Sequence, residues 1–158
     1  MLIIKNRLDT GGECHQRGDL EQAEAIYRSV VTDFPKRDEG WIYFDMSLND
    51  QARFDEALAA YDRALALSAD NESAWTNRGN TLAMLGRARA SIESHRKSLE
   101  LSPKYARAHT NLGVQLLRSN QLQEGWQEYQ WRTKTGIFSP PDCRVPFWRG
   151  DSLQNKHL

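Results

Sequence analysis

A spacing of 34 residues recurs along this chain and leaves it few ways to fold. Trp41 and Trp75 stand one interval apart, and a further interval reaches His109. Ala23, Ala57, Ser91 and Gly125 keep the same step, as do Tyr27, Tyr61, His95 and Tyr129. Pro35 and Pro103 lie two intervals apart, with Ala69 between them. A fixed period of this length means one small unit copied in tandem, each copy burying its apolar face against its neighbours. Such an array offers a surface for holding another molecule rather than a pocket for chemistry.

The unit is clearest from Glu72 to Tyr105. Its first half places Trp75, Arg78, Gly79 and Leu82 at helical intervals, and Gly86 supplies a break. Its second half carries Ala88, Ile92, His95 and Leu99 at steps of three or four, and Pro103 closes it because proline cannot continue a helix interior. Helix, short turn, helix is therefore the expected unit, an antiparallel pair. Small residues, Gly79 and Ser91 in this copy, fall where two helices must approach closely.

The order tryptophan, small glycine, alanine, aromatic, alanine, proline resembles the tetratricopeptide repeat. The resemblance covers roughly residues 4 to 134. It implies an all-α fold, a right-handed superhelix of four helix-turn-helix repeats over residues 4–37, 38–71, 72–105 and 106–134, with an irregular tail at 135–158. Some positions depart from the pattern. Asp45 replaces the small glycine of the second copy, so that pair is expected to be splayed or locally polar. Arg7 stands where the first copy would carry tryptophan, and Arg132 stands where Ala64 and Ser98 stand in earlier copies, so the fourth copy is expected to pack differently.

Past Gln121 the character changes. Gly125, Trp126, Tyr129, Trp131 and Arg132 are followed by Pro140, Pro141, Pro146, Trp148, Gly150, Leu153 and Lys156. This stretch resembles the junction in bacterial proteins that join tetratricopeptide repeats to a glycosyltransferase-like domain. In those proteins the catalytic domain lies beyond this point, so the sequence ending at Leu158 is expected to be either a fragment or a shortened relative that kept the repeat half, and no catalytic residue is carried over. The aromatic area of Trp126, Tyr129, Trp131, Phe138, Phe147 and Trp148 is large, and one buried aromatic contributes a few kcal/mol at roughly 25 cal/mol per Å². The tail is expected to fold over the last helix pair, or to dock on another domain or a second copy of the chain.

In a repeat stack of this kind the first helices line a concave face. The inward positions most suited to a ligand are Tyr43, Thr76, Asn77, Asn80, Arg107 and Asn111, with Arg118 nearby. Asn77 and Asn111 hold the same position in adjacent copies. A carboxamide both donates and accepts, which suits the backbone of an extended peptide. A ladder of such asparagines grips peptide in some members of the resembling family. The same two amides also suit inter-repeat polar groups. Arg107 with Arg118 suits a carboxylate or phosphate, or serves as a solvated surface.

Other chemistries find little support. Lys and Arg together equal Asp and Glu, at 21 each, so no charge argument favours nucleic acid or an anionic membrane. No apolar run approaches the ~20 residues that span a bilayer. Cys14 and Cys143 form neither a disulfide framework nor a zinc motif, and a reducing cytoplasm is the expected compartment. No metal or cofactor is expected. No nucleophile–base constellation and no phosphate-binding glycine loop occurs. The expected function is a non-catalytic scaffold that binds a protein or peptide in the concave groove. The alternatives are the acceptor-recruiting part of a glycosyltransferase-like protein, and self-association through the ends of the stack.

Overall fold

The computed structural model describes residues 2–135. Eight α-helices form four antiparallel pairs: α1 (Leu2–Gln16) with α2 (Leu20–Asp33), α3 (Asp38–Asp50) with α4 (Phe54–Leu67), α5 (Glu72–Met84) with α6 (Ala88–Leu101), and α7 (Ala106–Arg118) with α8 (Leu122–Tyr129). A 3-10 turn, Gln130–Lys134, follows α8. Contacts run from each helix to the next, so the pairs stack in chain order.

One turn geometry closes all four pairs. Gly18, Ala52, Gly86 and Asn120 have φ of 85°, 58°, 71° and 62°. The next amide, from Asp19, Arg53, Arg87 or Gln121, donates back to the carbonyl of Cys14, Leu48, Leu82 or Leu116 at 2.9–3.0 Å. This is the left-handed residue and six-to-one bond that satisfy the last carbonyls of a helix. Glycine adopts that backbone freely and asparagine tolerates it, whereas Ala52 carries a Cβ penalty.

Within each pair a small residue of the first helix meets the large residue of the second. A Cβ on Gly11 would strike the Tyr27 ring, and one on Gly79 would strike the His95 ring. In the fourth pair the obstacle at Gly113 is the backbone of Tyr129 itself. There α7 and α8 touch main chain to main chain, and the helix gives way to the 3-10 turn directly afterwards. The second pair substitutes Asp45 for glycine. Asp45 is fully buried, as are Ala57 and Tyr61 of the facing helix, so the pair closes over a polar group rather than opening.

Between pairs, one ring position acts as a latch. Trp41 Nε1 donates to the Pro35 carbonyl (3.1 Å), Trp75 Nε1 to the Ala69 carbonyl (2.9 Å), and His109 Nε2 lies 3.0 Å from the Pro103 carbonyl. Each bond ties a first helix to the end of the preceding pair. Arg7, which replaces this ring in α1, instead pairs with Asp33 and lies over Phe34.

The core is uneven in chemistry. Tyr27, Val30, Leu48 and Ala57 belong to an apolar cluster across the first two pairs, and Ile92, Leu112 and Leu116 form a second. The third pair is held by buried hydroxyls. Thr76 donates to Ser98 (2.8 Å), Ser98 to the Glu72 carbonyl (2.8 Å), and Ser91 to the Gly79 carbonyl (2.7 Å). His95 is fully buried among them with neither ring nitrogen hydrogen-bonded.

Two predictions follow from these strained positions. Burial drives the His95 imidazole down to about 4 from its ordinary 6.5. The unfolded chain therefore takes up a proton below pH 6.5 that the folded chain refuses until about pH 4, so stability falls as pH drops through that window. His95→Tyr, matching Tyr27 and Tyr61, is expected to recover about 1–2 kcal/mol at pH 5 and less at pH 7.5, read by urea denaturation. An identical pH profile for both proteins would refute the assignment. Ala52→Gly is expected to stabilise the chain by about 0.5–1 kcal/mol by relieving the left-handed strain, measured as a rise in melting temperature.

Candidate functional site

The first helices α1, α3, α5 and α7 present two adjoining cavities. At the α1–α3 end is one of about 680 Å³ with a mainly apolar wall, lined by Leu2, Ile4, Leu8 and Tyr43 with Lys5, Asp9, Arg37 and Glu39 at its edges. Further along is a polar niche of about 240 Å³ lined by Met46, Asn49, Asp50, Tyr61, Asn77, Asn80 and Arg107. Tyr43 and Met46 are one helical turn apart on α3, so the two cavities meet along that helix.

The niche is a cluster of carboxamides already held in place. Asn111 Nδ2 donates to Asn80 Oδ1 (2.8 Å), which joins α7 to α5. Asn49 Nδ2 donates to the Asp45 carbonyl (3.2 Å), and its Oδ1 accepts from the Thr81 hydroxyl (2.9 Å). The Tyr61 hydroxyl interacts with both Asn77 and the Asp45 carboxyl behind it. Burial pushes Asp45 well above the usual carboxylate range, and the opposing effect of the Tyr61 hydroxyl is smaller. Neither Asp45 side-chain oxygen has a partner of full hydrogen-bond geometry among the described residues. Tyr61 is itself pushed up by its burial and by Asp45.

Charge around the niche is settled on one side and open on the other. Asp50 Oδ2 lies 2.6 Å from His15 Nε2, a bridge between α3 and α1. Arg78 is engaged by Asp62 (2.7 Å) and by the Ser94 hydroxyl (2.7 Å). Arg107 is exposed and has no ion-pair partner among the described residues.

The residues singled out by sequence divide accordingly. Asn77, Asn80 and Arg107 line one niche, and Asn111 is tied to it through Asn80. Tyr43 lines the apolar cavity instead, with its ring 5.6 Å from that of Tyr27. Thr76 must be withdrawn from the open face: it is fully buried and its hydroxyl is bonded to Ser98. Its position lies on the seam between the helices of a pair, as does that of buried Leu8, two repeat intervals earlier in α1. Arg118, in the last turn of α7, lines neither cavity. Met46, an inward position of the second copy, lines the niche as expected, whereas Asn49, Asp50 and Tyr61 enter the site without having been singled out. A search one further turn along α3 would have found Asn49 and Asp50, whereas Tyr61 reads as a packing aromatic.

At the far end of the stack Trp131 lies flat on His109 (4.0 Å between centroids, 10°), with Lys134 over its ring at 3.6 Å. His109 also contacts Glu128. Arg132 lies over Tyr129 at 4.5 Å. These groups cover the end of the fourth pair. The expectation that the proline-rich tail folds back there concerns Phe138, Phe147 and Trp148, which lie outside the described residues.

Two family models match, one described as TPR repeat over residues 47–86 and one as tetratricopeptide repeat over residues 72–105. Tetratricopeptide repeats thus cover residues 47–105 of this chain. Its fold is the right-handed superhelix of that class. MamA has a similar structure, with a TM-score of 0.75 at 19% identity over 85% of this chain and 74% of MamA. An O-GlcNAc transferase mutant of Thermobaculum terrenum is 30% identical with a TM-score of 0.67, covering 72% of this chain and 22% of that one. The peroxisomal targeting signal receptor of Eremothecium gossypii is 33% identical over 61 residues, 39% of this chain and 11% of the receptor. The chain therefore spans between about a tenth and a fifth of the length of the curated relatives it matches. Among the described residues, no helix is long and apolar enough to cross a membrane.

Asp45 supplies a prediction with a sign opposite to that of His95. Its carboxyl titrates higher in the folded chain than its unfolded 3.8, so its contribution to stability is full below that value and is lost as pH rises above it. Asp45→Asn removes the charge and keeps the shape. It is expected to stabilise the repeat protein by about 1–3 kcal/mol at pH 7, with the gain vanishing near pH 4, read by denaturant titration at both. Destabilisation at pH 7 would mean that the ionised carboxylate is the stable form.

Proposed function

We propose that this chain is a non-catalytic interaction module that holds an extended peptide segment along its concave face. Its repeats and its relatives support a protein-interaction role, and one of those relatives is named as a receptor for a targeting signal. The observation that carries the peptide reading is the niche of amides at Asn77, Asn80 and Asn111. The bond from Asn111 to Asn80 uses one donor and one acceptor. It leaves the Asn80 amide nitrogen and the Asn111 amide oxygen without a further bond among the described residues. A donor and an acceptor of one amide pair suit the carbonyl and N–H groups of a peptide backbone, whatever its side chains. Their mutual bond fixes the amides before a ligand arrives, which lowers the ordering cost of binding.

A second reading, in which the repeats recruit an acceptor protein for a sugar-transferring domain, draws on the likeness to the Thermobaculum terrenum O-GlcNAc transferase. It shares the same groove and differs in the fate of what is bound. Proteins captured by the chain from its source cells would carry O-linked sugar under this reading and would be unmodified under the first.

The test of the groove is Asn77→Ala combined with Asn111→Ala, probed on an array of capped peptides. Removing two amides of the niche is expected to weaken retention about five- to 150-fold across sequences, since each lost bond costs about 0.5–1.5 kcal/mol. Retention equal to that of the unsubstituted chain would move the site off this face.

A further inference from the structure

The ring that latches each pair to the one before it changes chemistry at the last joint. Trp41 and Trp75 offer an indole N–H, a donor that keeps its proton at every ordinary pH. His109 stands one repeat interval after Trp75 and engages both of its ring nitrogens. Nε2 lies 3.0 Å from the Pro103 carbonyl, and Nδ1 meets a carboxylate oxygen of Glu128 on α8. A carbonyl oxygen only accepts, and so does an ionised carboxylate. A neutral imidazole has one N–H and one bare lone pair, so it serves one of these partners and turns its lone pair on the other. Both contacts are satisfied together only when the His109–Glu128 pair holds one further proton.

The surroundings favour a ring that holds it. Trp131 lies flat on His109, 4.0 Å between centroids and 10° between planes, and the face of an indole attracts a cation. The side chains of His109 and Glu128 are 12% and 23% exposed, so solvent screens their bond less than it screens a surface ion pair. In the 3-10 turn, Lys134 lies 3.6 Å from the centre of the Trp131 ring and opposes a charge on His109, and Arg132 lies over Tyr129. On α8, Glu124 is bound to Arg96 of α6 at 2.8 Å. The first turns of α5 and α7 bring Glu72 and Arg107, and Lys104 precedes α7.

We propose that the joint between the third and fourth pairs is a proton-held latch, closed while the His109–Glu128 pair carries its further proton and loosened as rising pH removes it. The charged acceptor is the stronger one, so the N–H that remains stays on Glu128. The bond lost is then the one from Nε2 to the Pro103 carbonyl, which ties α7 to the end of the third pair. Trp41 and Trp75 have no such proton to give up, so the dependence belongs to this joint alone among the three latches. Arg107 and Asn111 are carried on α7, and the latch therefore sets how firmly that wall of the concave face is held. This follows whatever the groove binds.

The full chain, labelled with nitrogen-15, tests the latch by NMR between about pH 6 and about pH 8.5, the range in which a histidine at a perturbed site changes charge. Long-range proton–nitrogen correlation is expected to show both His109 ring nitrogens protonated at the lower pH and one at the upper. Amide protection factors in α7 and α8 are expected to fall about tenfold across the range, as one charge-assisted bond is lost. Glu128→Gln offers Nδ1 a donor, so a neutral ring can keep its Nε2 proton on Pro103, and the fall is expected to vanish. His109→Trp, which restores the indole of the sibling pairs, is expected to remove it as well. His95 acts below pH 6.5 and with the opposite sign, so it does not supply this loss. Asp45 lies on α3 and is common to all three proteins, so the comparison between them cancels it.

A His109 ring with one bare nitrogen already at about pH 6 would overturn the inference. So would a fall in α7 and α8 protection that Glu128→Gln leaves in place, or no fall in the unsubstituted chain. If Glu128→Gln loses its helical circular dichroism, the ring nitrogens of the unsubstituted chain decide the matter.

Discussion

At three of the four crossings of paired helices a glycine faces a ring or a backbone, and the pair closes to the distance this allows. Gly11 meets Tyr27, Gly79 meets His95, and Gly113 meets the main chain of Tyr129. Everything else is referred to these crossings. They fix the angle at which the second helix leaves, and so where the next latch falls. Trp41, Trp75 and His109 then reach the carbonyls of Pro35, Ala69 and Pro103 within 2.9–3.1 Å. The repeat stack is a one-dimensional array in which each contact is to a neighbour, so a fault at one crossing is felt by the adjoining pairs rather than averaged over a common core.

The second and third pairs depart from this scheme by placing polar groups where their siblings are apolar or absent. Asp45 is inserted at a glycine position, and His95 replaces a tyrosine with two nitrogens that find no partner. Both groups are pushed toward their neutral forms by burial, from opposite sides of the pH scale. The third pair offsets part of this with hydroxyl bonds: Ser91 and Ser98 donate to the carbonyls of Gly79 and Glu72, and Thr76 donates to the Ser98 hydroxyl. A salt-bridged joint supports the first two pairs. Glu24 accepts from Arg28, Gln51 and Arg53, and these bonds outweigh its burial to bring its carboxyl down to about 2.

The period made the architecture legible because a tandem unit has only one way to bury its face. Gly18 and Gly86 announced their turns by residue type. Ala52 and Asn120 have the same left-handed backbone and announced it only by register, since neither residue demands that conformation. The site was legible in part. Asn77, Asn80 and Arg107 were found because the inward face of a helix is set by its 3.6-residue turn, which the sequence displays. Thr76 was misplaced by a small rotation, because a position on the seam between paired helices is one residue from a position on the open face. Tyr61 was missed because its ring packs as expected while its hydroxyl passes through to the niche. A linear pattern records where a side chain starts, not how far it reaches.

That Tyr61 hydroxyl connects the departures to the function. It touches Asn77 on the open face and Asp45 in the interior, so the buried acid that breaks the repeat pattern is the group behind an amide of the proposed site. A sequence optimised only for stacking would place glycine at position 45, as the other three pairs do. Local rules are broken most often where a site needs them broken. With Asp45 neutral, its hydroxyl and carbonyl both remain available to Tyr61, and Tyr61 in turn constrains which end of the Asn77 carboxamide faces outward. With Asp45 ionised, it accepts only, and the orientation is set one way. The protonation of a fully buried acid thereby bears on the polarity of the amide a ligand meets. This coupling needs no moving part, because the Tyr61 hydroxyl already interacts with both groups.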